Sequence, residues 1–124
     1  SEKNILLTFI ESTSTFKLEI KKNHEIVLND FIELVNEIKK RNLNLPYKIL
    51  TITNKNNSAT KEALLYLRNN EYVNKYNYGE AFVTNSLMVQ LSASFYGSFI
   101  AKTRKTKTFT NEEEAILWLD TLPL

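Results

Sequence analysis

The sequence predicts an α/β domain in which a mixed sheet of about five strands carries about four helices. Three observations lead there. Apolar and charged residues alternate near the start of the chain, helical spacings of i, i+3, i+4 and i+7 recur after it, and strand-like and helix-like stretches then take turns to the end. Strands separated by helices imply crossovers and parallel pairing, while two hairpin-linked strands at the start make the sheet mixed. At 124 residues the chain has the size of one domain. No linker, repeat or low-complexity run divides it, so residues 1–124 are read as a single unit.

Asn4 to Ile10 is rich in apolar, β-branched and aromatic residues, and Phe16 to Lys21 alternates apolar and charged side chains strictly. The polar stretch Glu11-Ser12-Thr13-Ser14 between them predicts an antiparallel hairpin whose second strand has one wet face. Asn29 or Asp30 is placed to cap a helix in which Phe31, Leu34, Val35 and Ile38 form one buried stripe. Pro46 ends that segment and admits a third strand, Tyr47 to Thr53. The polar loop Asn54 to Thr60 leads into a helix over Lys61 to Asn69, with Ala63, Leu64 and Leu67 inward; a short segment near Glu71 to Asn77 follows, to which no element is assigned. Tyr78 to Val83 is the fourth strand, and its Ala-Phe-Val end fits burial on both faces. Asn85 or Ser86 then caps a helix from Leu87 to about Ala101. Its apolar surface is wide, with Leu87, Met88, Leu91, Phe95 and Phe99 on one arc and Val89, Ala93, Tyr96 and Ile100 on the next. Lys105 to Phe109 is a last short strand, and Thr110 or Asn111 caps the closing helix, Glu112 to Leu122. Three glutamates in its first turn suit the helix dipole, while Ala115, Ile116, Trp118, Leu119 and Leu122 point inward.

With 43% hydrophobic and 24% charged residues, the composition is that of an ordinary globular protein. The scarce residues exclude more than the common ones. No cysteine, one histidine and two glycines rule out a thiol nucleophile, a zinc knuckle, an iron–sulfur site and a glycine-rich phosphate loop, so no metal site or cofactor is expected. The formal charge of +2 comes from 16 basic and 14 acidic residues mixed along the chain, which does not make a nucleic-acid footprint. One basic cluster, Lys102, Arg104, Lys105 and Lys107, is read as a solubilising edge or loop, with a patch for an anionic partner as the alternative. The 21 uncharged residues from Ala81 to Ala101 include Thr84, Asn85, Ser86, Gln90, Ser92, Ser94 and Ser98, too many hydrogen-bonding groups for a membrane span. With no export signal in view and no cysteine, the cytoplasm is the expected compartment.

Catalytic chemistry is hard to assemble from this inventory. His24 is read as a surface histidine in the turn Lys22-Asn23-His24-Glu25, with no nucleophile to serve. The candidate site is polar instead. Loops at the carboxyl ends of parallel strands share one edge and lead into helix N-termini, and two of them here carry Asn57, Ser58 and Thr60, and Asn85 and Ser86. Helix capping and turn formation account for these residue types; a partner-docking or anion-binding edge, with Ser58 or Thr60 as a phosphosite, is the functional reading.

The element order, together with Ala81-Phe82-Val83-x-Asn85-Ser86, Phe95-Tyr96 and the closing Phe109-Thr110-Asn111-Glu112-Glu113-Glu114-Ala115-x-x-Trp118-Leu119, resembles the small bacterial STAS/SpoIIAA-like proteins of unassigned function. The resemblance spans nearly the whole chain and implies a SpoIIAA-like fold. In the anti-sigma-factor antagonists of that fold, a serine at the start of the helix after a central strand is phosphorylated and governs partner binding; Ser58 and Thr60 stand in a comparable place. This loop reads Asn-Lys-Asn-Asn-Ser-Ala-Thr and lacks the Asp-Ser-Ser-Gly type of signature. Related sheets in lipid-transfer proteins hold an apolar ligand between helix and sheet, which makes the helix from Leu87 the matching wall. The expectation is thus a non-enzymatic binding or regulatory module acting through protein contacts, homodimeric through Tyr96, Phe99 and Ile100. The alternative is a carrier of a small apolar ligand or lipid that uses the same helix, and an enzyme ranks last.

Overall fold

The alternating residues at the start of the chain form the hairpin the sequence predicts. In the computed structural model, which describes residues 3–84, 99–101 and 104–124, β1 (Ile5–Ile10) and β2 (Thr15–Ile20) pair antiparallel with Phe9 opposite Phe16. A 3-10 turn at Glu11–Thr13 reverses the chain, and Ser14 completes it at a φ of 52°. A two-residue strand β3 (Glu25–Ile26) and helix α1 (Leu28–Asn42) then lead to β4 (Tyr47–Ile52), which lies parallel to β2. Strand β5 (Ser58–Ala59) and helices α2 (Lys61–Asn69) and α3 (Glu71–Tyr76) precede β6 (Asn77–Val83), parallel to β4. Strand β7 (Lys105–Phe109) is parallel to β6, and α4 (Glu112–Asp120) closes the chain. The sheet order is β1-β2-β4-β6-β7, a mixed five-stranded sheet with four helices among the described residues. Strands β3 and β5 form a separate parallel ladder.

Successive side chains of a strand point to opposite faces, so the sheet has two distinct cores. On the first face Phe16, Leu18 and Ile20 of β2, Tyr47 and Ile49 of β4, and Phe82 of β6 belong to one apolar cluster with α1, α2 and α3. On the second face Leu50, Ala81 and Val83 pack under Ala115, Leu119 and Leu122 at α4. Gly79 of β6 lets Leu122 lie against the strand, since an added Cβ would collide with the Leu122 Cδ1. Lys48 is buried on this side of β4 and donates its Nζ to the carbonyl of Leu119 at the end of α4, which also accepts the Leu122 N–H.

Some local expectations change. Neither Asn29 nor Asp30 caps α1, because Val27 already has the extended backbone of an N-cap (φ −109°, ψ 167°). Asp30 instead sits at the third helical position, where its carboxylate accepts the Val27 N–H at 2.9 Å. The unassigned segment near Glu71 to Asn77 is α3, only six residues long and capped by Asn70, whose side chain accepts from the Val73 N–H at 2.9 Å. Such a helix is too short to display a 3.6-residue repeat. Of the two candidate caps before the last helix, Asn111 does the capping, accepting from the Glu114 N–H. The predicted helix from Leu87 lies outside the described residues except at its end, where Phe99 and Ile100 are helical. Among the described residues no helix is long and apolar enough to cross a membrane.

Candidate functional site

Because β2, β4 and β6 are parallel, their carboxyl ends share one edge of the sheet. There the loops after β2 and β4 are sewn together by asparagines. Asn57 donates from Nδ2 to the carbonyls of Lys21 (2.8 Å) and His24 (3.3 Å), and its Oδ1 accepts the Asn54 N–H at 2.6 Å. Asn54 in turn donates to the carbonyl of Ile20, and Asn56 to the side chain of Asn23. Thr60 caps α2, its Oγ1 accepting from the Ala63 N–H at 3.2 Å. Ser58 differs from these two. It is exposed, it belongs to the β5 ladder, and it precedes the first residue of α2 rather than sitting within the helix start. The structure thus brings Asn57, Ser58 and Thr60 together, while Asn85, Ser86 and Tyr96 lie outside the described residues.

His24 corrects a second expectation. Its Nε2 lies 2.8 Å from Asp30 Oδ2, and its side chain is 16% exposed, so it is neither an open surface histidine nor without a carboxylate partner. The cause is local: Asp30 at the third position of α1 faces back toward the turn that carries His24. No hydrogen bond joins the ring to a hydroxyl among the described residues. Nor do the described residues contain a group of three His, Cys, Asp or Glu side chains suited to a metal ion.

The larger feature lies inside. Between the first face of the sheet and helices α1 and α2 is a cavity of about 120 Å³, walled by apolar side chains that include Ile20, Phe31, Leu34, Leu64, Phe82 and Ile100. Its polar lining comes from the two ends of the strands. Asn57 and Ser58 stand near the carboxyl ends; Tyr47, Asn77 and Glu80 stand toward the amino ends, with Tyr47 paired opposite Asn77 and Ile49 opposite Glu80. Ile100 is 4% exposed and lines this cavity. Phe99 packs against the same cluster under the Arg68 guanidinium, 5.2 Å from its ring centre.

Glu80 is a carboxylate buried in a central strand, an expensive placement unless a countercharge is also enclosed. Arg104 supplies it. The Arg104 side chain is 3% exposed, and its Nη2 lies 2.9 Å from Glu80 Oε1 while Nε lies 3.1 Å from the same atom. Asn77 Nδ2 donates to that oxygen as well, at 2.6 Å. Arg104 also reaches Asn74 Oδ1 and the Ile100 carbonyl. This corrects its reading as part of a solubilising basic edge, since the residue enters β7 beside Thr106, the register partner of Glu80, and is drawn inward by that carboxylate. Burial, and then the charge of Glu80, push the Tyr47 phenol above its ordinary pKa, so Tyr47 stays a neutral hydroxyl. Sequence reasoning missed Tyr47, Glu80 and Arg104 as a group. The available signal was Glu80 itself, a lone charge in a run otherwise apolar enough for a fully buried strand.

A model of the family described as "Domain of unknown function (DUF7793)" matches residues 10–123. No curated protein matches the chain. Among solved structures, it is similar to a crystal structure of an uncharacterized DUF3478-family protein with a SpoIIAA-like fold from Shewanella loihica PV-4. That comparison has a TM-score of 0.65 and 13% identity, and covers 93% of this chain and 91% of the other. At that identity the likeness carries the fold, and the five-stranded mixed sheet with its helices is SpoIIAA-like.

Proposed function

The chain belongs to the DUF7793 family, and we propose that it is a non-enzymatic binding protein that holds a small apolar ligand between its helices and its sheet. The observation that carries this reading is the apolar cavity of about 120 Å³ under α1 and α2. At roughly 24 cal/mol per Å³, an empty hole of this size costs a fold about 3 kcal/mol, which an occupant of matching shape recovers. Its size is comparable to that of an apolar cavity of about 150 Å³ that takes up benzene. The lack of cysteine fits a role in a reducing compartment such as the bacterial cytoplasm.

Native mass spectrometry after gentle purification tests the reading directly. A reproducible added mass, or a rise in Tm with millimolar benzene or toluene, is the expected result. Bare protein from several preparations, together with no response to benzene, toluene, phenol or cyclohexanol, overturns it.

A second reading, a regulatory module that docks a protein partner, is favoured by the exposed Ser58 at the rim of the same cavity. Its homodimeric form is tested by light scattering at micromolar concentration, where a strict monomer removes it.

A further inference from the structure

The polar groups lining the cavity are not all used by the protein. Tyr47 is 1% exposed, its ring held edge-on to Phe16 at 5.6 Å and stacked on Tyr72 at 6.2 Å, yet no hydrogen bond engages its hydroxyl among the described residues. Glu80 shows the same asymmetry within one carboxylate. Asn77 and both contacting nitrogens of Arg104 converge on Oε1, and Oε2 has no partner among the described residues. Among the described residues no polar side-chain atom that is fully enclosed by packing lacks a partner, so these two oxygens border open space. Both residues are deeply buried and both line the cavity.

From this pairing we infer that the cavity is selective for a neutral alcohol, a one-ring or short-chain molecule whose hydroxyl accepts a hydrogen bond from Tyr47 and donates one to Glu80 Oε2. The inference rests on the ligand-binding reading above and specifies its ligand. A buried donor and a buried acceptor left unmade are each unfavourable, and a hydroxyl is the smallest group that satisfies both. Other head groups fit worse. The charge of Glu80 is already matched by Arg104, so an ammonium would bring an uncompensated positive charge into an apolar chamber. A carboxylate would face the charge of Glu80, and a hydrocarbon would leave both oxygens without partners. The elevated pKa of Tyr47 agrees, because it keeps the phenol protonated and able to donate.

The test compares isosteric pairs on the whole chain: cyclohexanol against methylcyclohexane, and phenol against toluene, by calorimetry or by chemical-shift titration. Each alcohol is expected to bind about tenfold or more tightly than its hydrocarbon, since a site built around a hydroxyl discriminates against the analogue that lacks it. Tyr47→Phe removes a hydroxyl that has no protein partner and keeps the ring, so it should fold and should reduce the preference to within about threefold. Glu80→Gln, which retains an acceptor oxygen but loses the charge opposite Arg104, should weaken alcohol binding less than Tyr47→Phe does. Equal binding within each pair overturns the inference while leaving the ligand-binding reading in place; binding of neither member overturns both. An alcohol preference unchanged in Tyr47→Phe also overturns it. So does a crystal structure with water between Tyr47 and Glu80 and the alcohol bound elsewhere.

Discussion

The two faces of the sheet are built from alternate residues of the same strands, yet they are finished differently. Under α4, Leu50 and Ala81 meet Ala115 and Leu119, and three of the four are 0% exposed. Small side chains on both partners allow the helix to come close to the sheet. On the other face the strands carry Tyr47, Ile49, Phe82 and Glu80, and the helices stand off far enough to leave a chamber. Position parity within a strand therefore separates a solid face from a hollow one. A substitution's effect should depend on which parity it strikes.

The largest effect is expected from Arg104→Met, which leaves Glu80 buried without its countercharge. Chemical denaturation should show a loss of about 3–5 kcal/mol, largely restored when Glu80→Leu is added, because the pair then becomes apolar. A single mutant near wild-type stability would show that the pair is not the keystone of the hollow face. Next is Leu50→Ala on the solid face, at about 2–5 kcal/mol in the same assay. Here millimolar apolar probes should recover none of the loss that they offset on the cavity side.

The third prediction uses pH. The folded-state pKa of Tyr47 is raised, so the stability tied to its neutral form is complete below the unfolded phenol pKa of about 10 and is lost as the pH climbs past it. Thermal melts should therefore fall more steeply above pH 10 for the natural chain than for Tyr47→Phe, by up to about 1.4 kcal/mol per pH unit. Parallel curves would place the phenol in a far wetter site. The smallest effect belongs to Thr60→Ala, where losing the cap of α2 should cost about 1 kcal/mol by denaturation.

Much of this architecture was legible from spacing. The hairpin, the parallel crossovers and the caps Thr60 and Asn111 follow from patterns confined to a few adjacent residues, where local chemistry decides the outcome. The site was less legible. Asn57 could be read as a turn former, but the carbonyls it binds, at Lys21 and His24, are more than thirty residues away along the chain. The β3–β5 ladder has two residues per strand, too few for any alternation to register. His24 and Asp30 are six residues apart and meet only because the helix starts at Leu28. Arg104 misled because sequence neighbours advertise a shared environment: Lys105 and Lys107 are exposed, and Arg104 beside them is not.

The bond from Lys48 to the end of α4 has a consequence for uniqueness more than for strength. A helix lying on a smooth apolar surface of alanine, leucine and valine can slide by a turn with little change in buried area. A single buried ammonium that must meet a carbonyl admits one axial position, because any other leaves a charge enclosed without an acceptor. Lys48 thus acts as an alignment pin: it sets where along the sheet the closing helix stops, and with it where the chain's last turn, at Leu122, comes to rest against Gly79.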